Sequence, residues 1–160
     1  MLFRYLSLAA LAATSVAAGG VGSAIVENHC PFTVYLWSVG GSIGPKNTLG
    51  SGAVYKEQFR RDPQSGGIAV KITTVNDGLF NGSPQTNFAY SLTDTQVFYD
   101  MSDVMGDPFR GYTPLAHPSK DGCGDIYWEN GVPPAGSQVK SCVKSSDVTL
   151  TLCNANDITM

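Results

Sequence analysis

Residues 24–37 read AIVENHCPFTVYLW. Two short runs rich in β-branched and aromatic side chains, Ala24–Val26 and Thr33–Trp37, flank a break at His29-Cys30-Pro31. Branched and flat side chains fit the pleated, half-buried surface of a strand and lose χ1 freedom in a helix. Proline cannot donate to a ladder, so the break separates two strands rather than extending one. The second run is apolar at almost every position. That pattern predicts a strand covered on both faces, with Tyr35 and Trp37 in the core.

The same pattern continues outward from this stretch. Residues 40–52 are dense in Gly, Ser, Pro and Asn and predict turns. Strands are expected over Ala53–Phe59, Gly67–Thr74, Asn87–Leu92 and Gln96–Met101, with Asp77-Gly78 and Asn81-Gly82 as tight turns between them. After Asp107 the chain is irregular until Asp125–Trp128, and Asp147–Leu152 (DVTLTL) alternates as a closing strand. Beyond the N-terminus, no window longer than a turn or two carries a helical period. Short strands punctuated by Gly and Pro predict an all-β fold, a β-sandwich or flattened barrel. The chain has no internal repeat, low-complexity tract or dividing linker, so one domain over residues 19–160 is expected. It is long enough to bury a true core.

The N-terminus predicts export. Arg4 precedes an apolar run, Leu6–Ala13, and small residues follow at Ser15, Ala17 and Ala18. This is the pattern of a cleaved secretory leader over residues 1–18; the run falls short of the ~18 residues that span a bilayer. The full chain has a formal net charge of −3, and cleavage would remove Arg4 and no acid. An acidic chain with scattered Lys and Arg disfavours nucleic acid and anionic membranes, which require a basic face. The tail after Cys153 (NANDITM) is polar. A protein free in the wall or medium, monomeric, with no membrane insertion and no cofactor, is expected.

Four cysteines, Cys30, Cys123, Cys142 and Cys153, predict two disulfides in an oxidising compartment. Sequence alone leaves three pairings open. A zinc site is disfavoured, because no C-x-x-C pair occurs and His29 and His117 lie in unrelated contexts.

Several segments together resemble the thaumatin-like proteins. The stretch from Ile25-Val26 through Cys30 to Thr33-Val34-Tyr35 is similar to their opening "I-V-N-x-C-x-x-T-V-W". Tyr90-Ser91-Leu92 is similar to "F-S-L", and Tyr99-Asp100-Met101-Ser102-Asp103-Val104-Met105-Gly106 to "Y-D-[VI]-S-x-[VI]-x-G". The short length and low cysteine count most resemble the small fungal Bys-type, or antigenic thaumatin-like, proteins. The resemblance implies a flattened β-sandwich with a disulfide-tied loop region. It implies the pairing Cys30–Cys153, first strand to last, with Cys123–Cys142 closing the late loop.

It also raises the question of an acidic cleft, since some thaumatin-like proteins bind or slowly cleave β-1,3-glucan. Of the expected carboxylates, Asp100 is present. The glutamate before "F-S-L" falls on Ala89, and the acid before the later glycine falls on Met105. Asp103 and Asp107 are the candidates to stand in, with Asp94 and Asp125 more distant possibilities. Hydrolysis would need two carboxyls about 5–10 Å apart across the scissile bond. The alternative is a set of turn aspartates bonded to nearby backbone N–H groups. Their spacing lacks the order of a calcium loop. No G-x-S-x-G motif accompanies either histidine, and paired cysteines leave no thiol nucleophile.

Four aromatics, Phe109, Tyr112, Tyr127 and Trp128, flank the Cys123–Cys142 region as a candidate stacking platform for sugar or protein. Packing beneath that loop is the competing role. Asn81-Gly82-Ser83 forms a glycosylation sequon whose use Pro84 would lower. The export signal and the lack of a complete catalytic constellation predict a secreted, non-enzymatic binding protein, and the resemblance implies an antigen, adhesin or effector at the cell wall or on a host surface protein. The alternative is a β-glucan-binding protein or weak endo-β-glucanase.

Overall fold

The computed structural model describes residues 20–154, so the leader and the last residues of the polar tail lie outside the described residues. The strands are β1 (Ser23–Asn28), β2 (Val34–Val39), β3 (Asn47–Leu49), β4 (Val54–Gln58), β5 (Ile68–Thr73), β6 (Gln85–Leu92), β7 (Gln96–Val104), β8 (Leu115–Pro118), β9 (Ile126–Tyr127), β10 (Lys140–Val143) and β11 (Val148–Leu152). One helical turn, α1 (Gly78–Asn81), joins β5 to β6.

The strands form two sheets, one ordered β4-β1-β11-β8-β9 and the other β10-β7-β6-β5-β2-β3. Period-two alternation explains why the sheets stack. Ala24 and Val26 of β1, Val148, Leu150 and Leu152 of β11, and Ala116 of β8 are fully buried. They pack in one cluster with Val34, Leu36, Val70, Ile72, Phe88, Val97 and Tyr99 of the other sheet. The expected all-β sandwich is the architecture observed.

The first and last strands lie side by side. β1 pairs with β11 in parallel, with Asn28 opposite Leu152, so both chains leave the ladder at the same end. The two cysteines that follow, Cys30 and Cys153, are bonded there with their Cα atoms 4.9 Å apart. Cys142 of the edge strand β10 is bonded to Cys123 in the loop after β8. Both pairings are those that the family resemblance implied.

Four details correct the sequence reading. Trp37 is buried, but on the outer face of the six-stranded sheet, where Phe80 of α1 meets it edge-on at 5.9 Å. Tyr35 shares that face and is only half-buried, with the Lys46 ammonium 6.0 Å from its ring centre, so it lies outside the core. The segment from Asp77 to Gly82 is a single helical turn bounded by left-handed residues at both ends, Asp77 (φ 56°) and Gly82 (φ 74°). Strands β3, β8 and β10 formed where turns or irregular chain were expected.

Candidate functional site

β7 sets Asp100 and Asp103 on opposite faces, and Asp107 lies in the loop that follows it. Val97, Tyr99 and Met101 point into the core, so Phe98 and Asp100 point outward. Asp100 stands directly opposite Ala89 in the β6–β7 ladder. The residue on which the expected glutamate falls is thus the cross-strand partner of Asp100, and it carries no carboxyl group. Asp100 accepts a hydrogen bond from the Met101 amide at 2.8 Å. It lines a shallow cup of about 200 Å³ with Ala89, Ser91, Phe98 and Val139.

Asp103 is three residues further on and lies on the other face, at the end of the sandwich. It accepts a 2.5 Å hydrogen bond from the Thr86 hydroxyl, while its second oxygen, Oδ2, is buried without a hydrogen-bond partner among the described residues. Burial raises its pKa to about 6; the Thr86 bond opposes the shift, and the nearby Asp107 carboxylate adds to it. Asp107 is itself ion-paired with Arg110. The fold therefore brings Asp103 and Asp107 together and sets Asp100 apart from both.

The remaining polar candidates are dispersed. Asp94 pairs with Arg61 at 2.6 Å and is almost fully exposed. Asp125 bonds His117 Nδ1 at 2.8 Å on the outer face of the five-stranded sheet. His29 lies 3.4 Å from Glu27. Among the described residues no group of three His, Cys, Asp or Glu side chains is arranged to hold a metal ion.

The aromatic candidates separate by burial. Phe109 and Trp128 are 1 % and 0 % exposed, so they fill the core beneath the late loop and present no face to a ligand. Tyr112 is half-buried, edge-on to Phe32 at 5.4 Å. Tyr127 is 53 % exposed. It ends a row of outward side chains that crosses all five strands of its sheet: Val54, Glu27, Thr151, Leu115, Tyr127. Adjacent strands lie about 4.8 Å apart, so this row is about 19 Å long.

One polar cluster escaped the sequence reading. Glu57 of β4 points between the sheets and accepts hydrogen bonds from Tyr90 of β6 at 2.9 Å and from Tyr55 at 3.0 Å. Burial and the carboxylate raise the Tyr55 hydroxyl to about 12 and push Tyr90 further in the same direction. The period-two pattern of Tyr55, Glu57 and Phe59 was the available signal. It sets a carboxylate on the same face as two aromatics, and a carboxylate so placed needs partners.

With this geometry in view, comparison with known proteins is informative. Residues 10–154 match the family described as Bys1, Blastomyces yeast-phase-specific protein. An antigenic thaumatin-like protein of Arthroderma benhamiae is 34% identical over 157 residues, covering 92% of this chain and 78% of that protein. A secreted thaumatin-like protein of Emericella nidulans is 31% identical, covering 98% of this chain and all of its own length. Among solved structures, the protein elicitor MoHrip2 from Magnaporthe oryzae superposes with a TM-score of 0.69 at 28% identity, covering 82% of this chain and 98% of the elicitor. The thaumatin-like xylanase inhibitor TLXI shares the fold with a TM-score of 0.58 at 14% identity, covering 81% and 98%. Sequence match, disulfide pattern and sandwich agree: the chain belongs to the Bys1 family of fungal thaumatin-like proteins.

Proposed function

We propose that this chain is a secreted, non-enzymatic binding protein that acts at the fungal cell wall or on a host surface. The observation that carries the reading is the separation of the carboxylates. Asp100 faces Ala89 on one side of β7, whereas Asp103 points to the other side, bonded to Thr86 and close to the Arg110-paired Asp107. General acid–base cleavage of a glycoside requires two carboxyls flanking one space. The similarity to a protein elicitor supports the host-facing form of the reading. The row ending at Tyr127 is the binding surface we favour, because an exposed tyrosine offers a broad, rigid contact at low entropic cost.

A glucan-binding reading is favoured by one further observation, the cup around Asp100. There a carboxylate stands beside Phe98 and the Ser91 hydroxyl, suited to sugar hydroxyls and a sugar's apolar face. One experiment addresses both. The refolded protein is pulled down on insoluble β-1,3-glucan, chitin, intact fungal walls and host cell surfaces, with reducing-sugar release assayed in parallel. Saturable binding without sugar release, weakened at least about fivefold by Tyr127→Ala, is expected. Binding weakened by Asp100→Asn instead would move the surface to the cup. Sugar release abolished by Asp100→Asn would overturn the non-enzymatic reading.

A further inference from the structure

We propose that Asn81 is an N-glycan acceptor and that the attached sugar lies over Phe80. Asn81-Gly82-Ser83 is the chain's only N-x-S/T sequence. Asn81 ends α1 and is exposed, and Gly82, left-handed at φ 74°, turns the chain back on itself. A side chain at position 82 would be strained in that conformation, and glycine is not. The turn brings both donors of Ser83 onto one atom of Asn81. The Ser83 amide donates to Oδ1 at 3.1 Å and the Ser83 hydroxyl donates to the same oxygen at 2.6 Å. The carbonyl side of the amide is thereby fixed, and Nδ2 has no hydrogen-bond partner among the described residues. The acceptor amide and the hydroxyl two residues later already stand in contact, with the nitrogen free.

The transfer balances with a lipid-diphosphate-linked oligosaccharide, the donor class of the secretory pathway. The Asn81 nitrogen forms a bond to C1 of the first sugar. The bond from C1 to the diphosphate oxygen breaks, the amide loses one proton, and the lipid diphosphate leaves. Glycans of this kind belong on surface turns of exported proteins.

The neighbouring residue supplies an independent observation. Phe80 is 65 % exposed, although one edge contact ties it to Trp37. Its free ring face adjoins the acceptor in sequence and offers a platform for the apolar face of a sugar ring, removing phenyl surface from water. Pro84 follows the sequon with φ fixed and no N–H, restricting Ser83 to extended conformations and limiting the adjustments open to the acceptor segment. Occupancy is therefore partial, and Pro84→Ala raises it.

The inference rests on the secretory route, and the test separates the two. The full-length chain is expressed in a yeast or filamentous fungal host, and the medium and cell fractions are analysed by intact-mass spectrometry before and after an amidase that removes N-glycans. Secreted protein carrying hexose-rich mass, lost in both Asn81→Gln and Ser83→Ala and increased in Ser83→Thr and Pro84→Ala, is expected. Ser83→Ala keeps the asparagine, so a folding defect peculiar to Asn81→Gln does not blur the result. Secreted protein at its polypeptide mass overturns this inference and leaves the secretory reading standing. Protein retained unmodified in the cytosol overturns both. The position of the sugar is read from Tm: deglycosylation lowers the Tm of the wild type more than that of Phe80→Ala, and equal shifts overturn the packing over Phe80.

Discussion

Cys30–Cys153 and Cys123–Cys142 are the same covalent link set in two kinds of surroundings. The first closes the end of a parallel ladder whose strands already exchange backbone hydrogen bonds. Beside it the buried Asn28 amide nitrogen donates to the carbonyls of Phe32, Leu49 and Gly50, and its oxygen accepts from the Cys30 amide. The second joins an edge strand to a stretch with little ladder of its own. That loop is held by single contacts instead: the Tyr99 hydroxyl on the Gly124 carbonyl at 2.5 Å, and the Gly111 amide on the Asn130 carbonyl at 2.8 Å. At Gly131 (φ 66°) an added Cβ would stand 1.9 Å from the Phe109 carbonyl oxygen, so even the backbone is packed against its neighbour. The seam is redundant, whereas the loop depends on each of its few ties.

Removing each disulfide is the strongest way to break this comparison. The bonds span sequence separations of 123 and 19 residues. Loop-closure entropy then assigns about 5 kcal/mol to the first and about 3 kcal/mol to the second. Cys30→Ser with Cys153→Ser should therefore show the larger drop in denaturant midpoint. Cys123→Ser with Cys142→Ser should show the smaller drop together with new proteolytic cleavage between residues 119 and 139, at native temperature. Equal midpoints and equal cleavage patterns would mean that the two regions do not differ in the way described.

A smaller effect probes how the sheets are held together. The Tyr90 hydroxyl crosses from one sheet to Glu57 on the other, while Tyr55 reaches Glu57 from two residues away on the same strand. Both donate to a charged acceptor, but only Tyr90 bridges the layers. Tyr90→Phe should cost about 2 kcal/mol in equilibrium unfolding and Tyr55→Phe about 1 kcal/mol, the more exposed phenol being more readily replaced by water. A Tyr90→Phe loss below about 0.5 kcal/mol would remove Glu57 from the account of sheet packing.

The same contrast explains what was legible in the sequence. β1, β2, β5, β6, β7 and β11 announce themselves through β-branched and aromatic runs, because burial on a pleated surface selects those side chains. β8 reads Leu-Ala-His-Pro and offers no such signal. It is a strand because β11 and β9 pair with its two sides, with His117 opposite Thr149 and Leu115 opposite Tyr127. β3 contributes one buried residue, Leu49, and β10 one, Cys142. Their ladders are set by tertiary context, which local propensity does not encode. The site followed the same rule. Period two placed Asp100 on one face of β7 and Asp103 on the other, so their divergence was implicit once the strand was known to continue to Val104. The burial of Phe109 had no local signature, since an aromatic in an irregular segment looks the same whether it faces solvent or core.

The smallest effect lies at the end of β7 and is read through pH. Asp103 is held near 6 mainly by burial, well above the ordinary range of an aspartate. A raised native pKa means that the folded state binds the proton more tightly than the unfolded chain. The stabilisation is thus complete below about pH 4 and is lost as pH rises through about 6. Asp103 is partly solvated, and screening reduces the effect to about 1 kcal/mol. Asp62 has the opposite sign: amide hydrogen bonds from Gly41 and Ser65 hold it near 2, so its contribution is present above about pH 4 and fades only in stronger acid. Asp103→Asn keeps the shape and removes the charge. It should match the wild type at pH 4 and exceed it by about 1 kcal/mol at pH 7, with the acid limb governed by Asp62 unchanged. An asparagine variant destabilised equally at both pH values would show that the Thr86 and Asp107 contacts require a carboxyl whatever its charge, and that no electrostatic strain is stored at the end of β7.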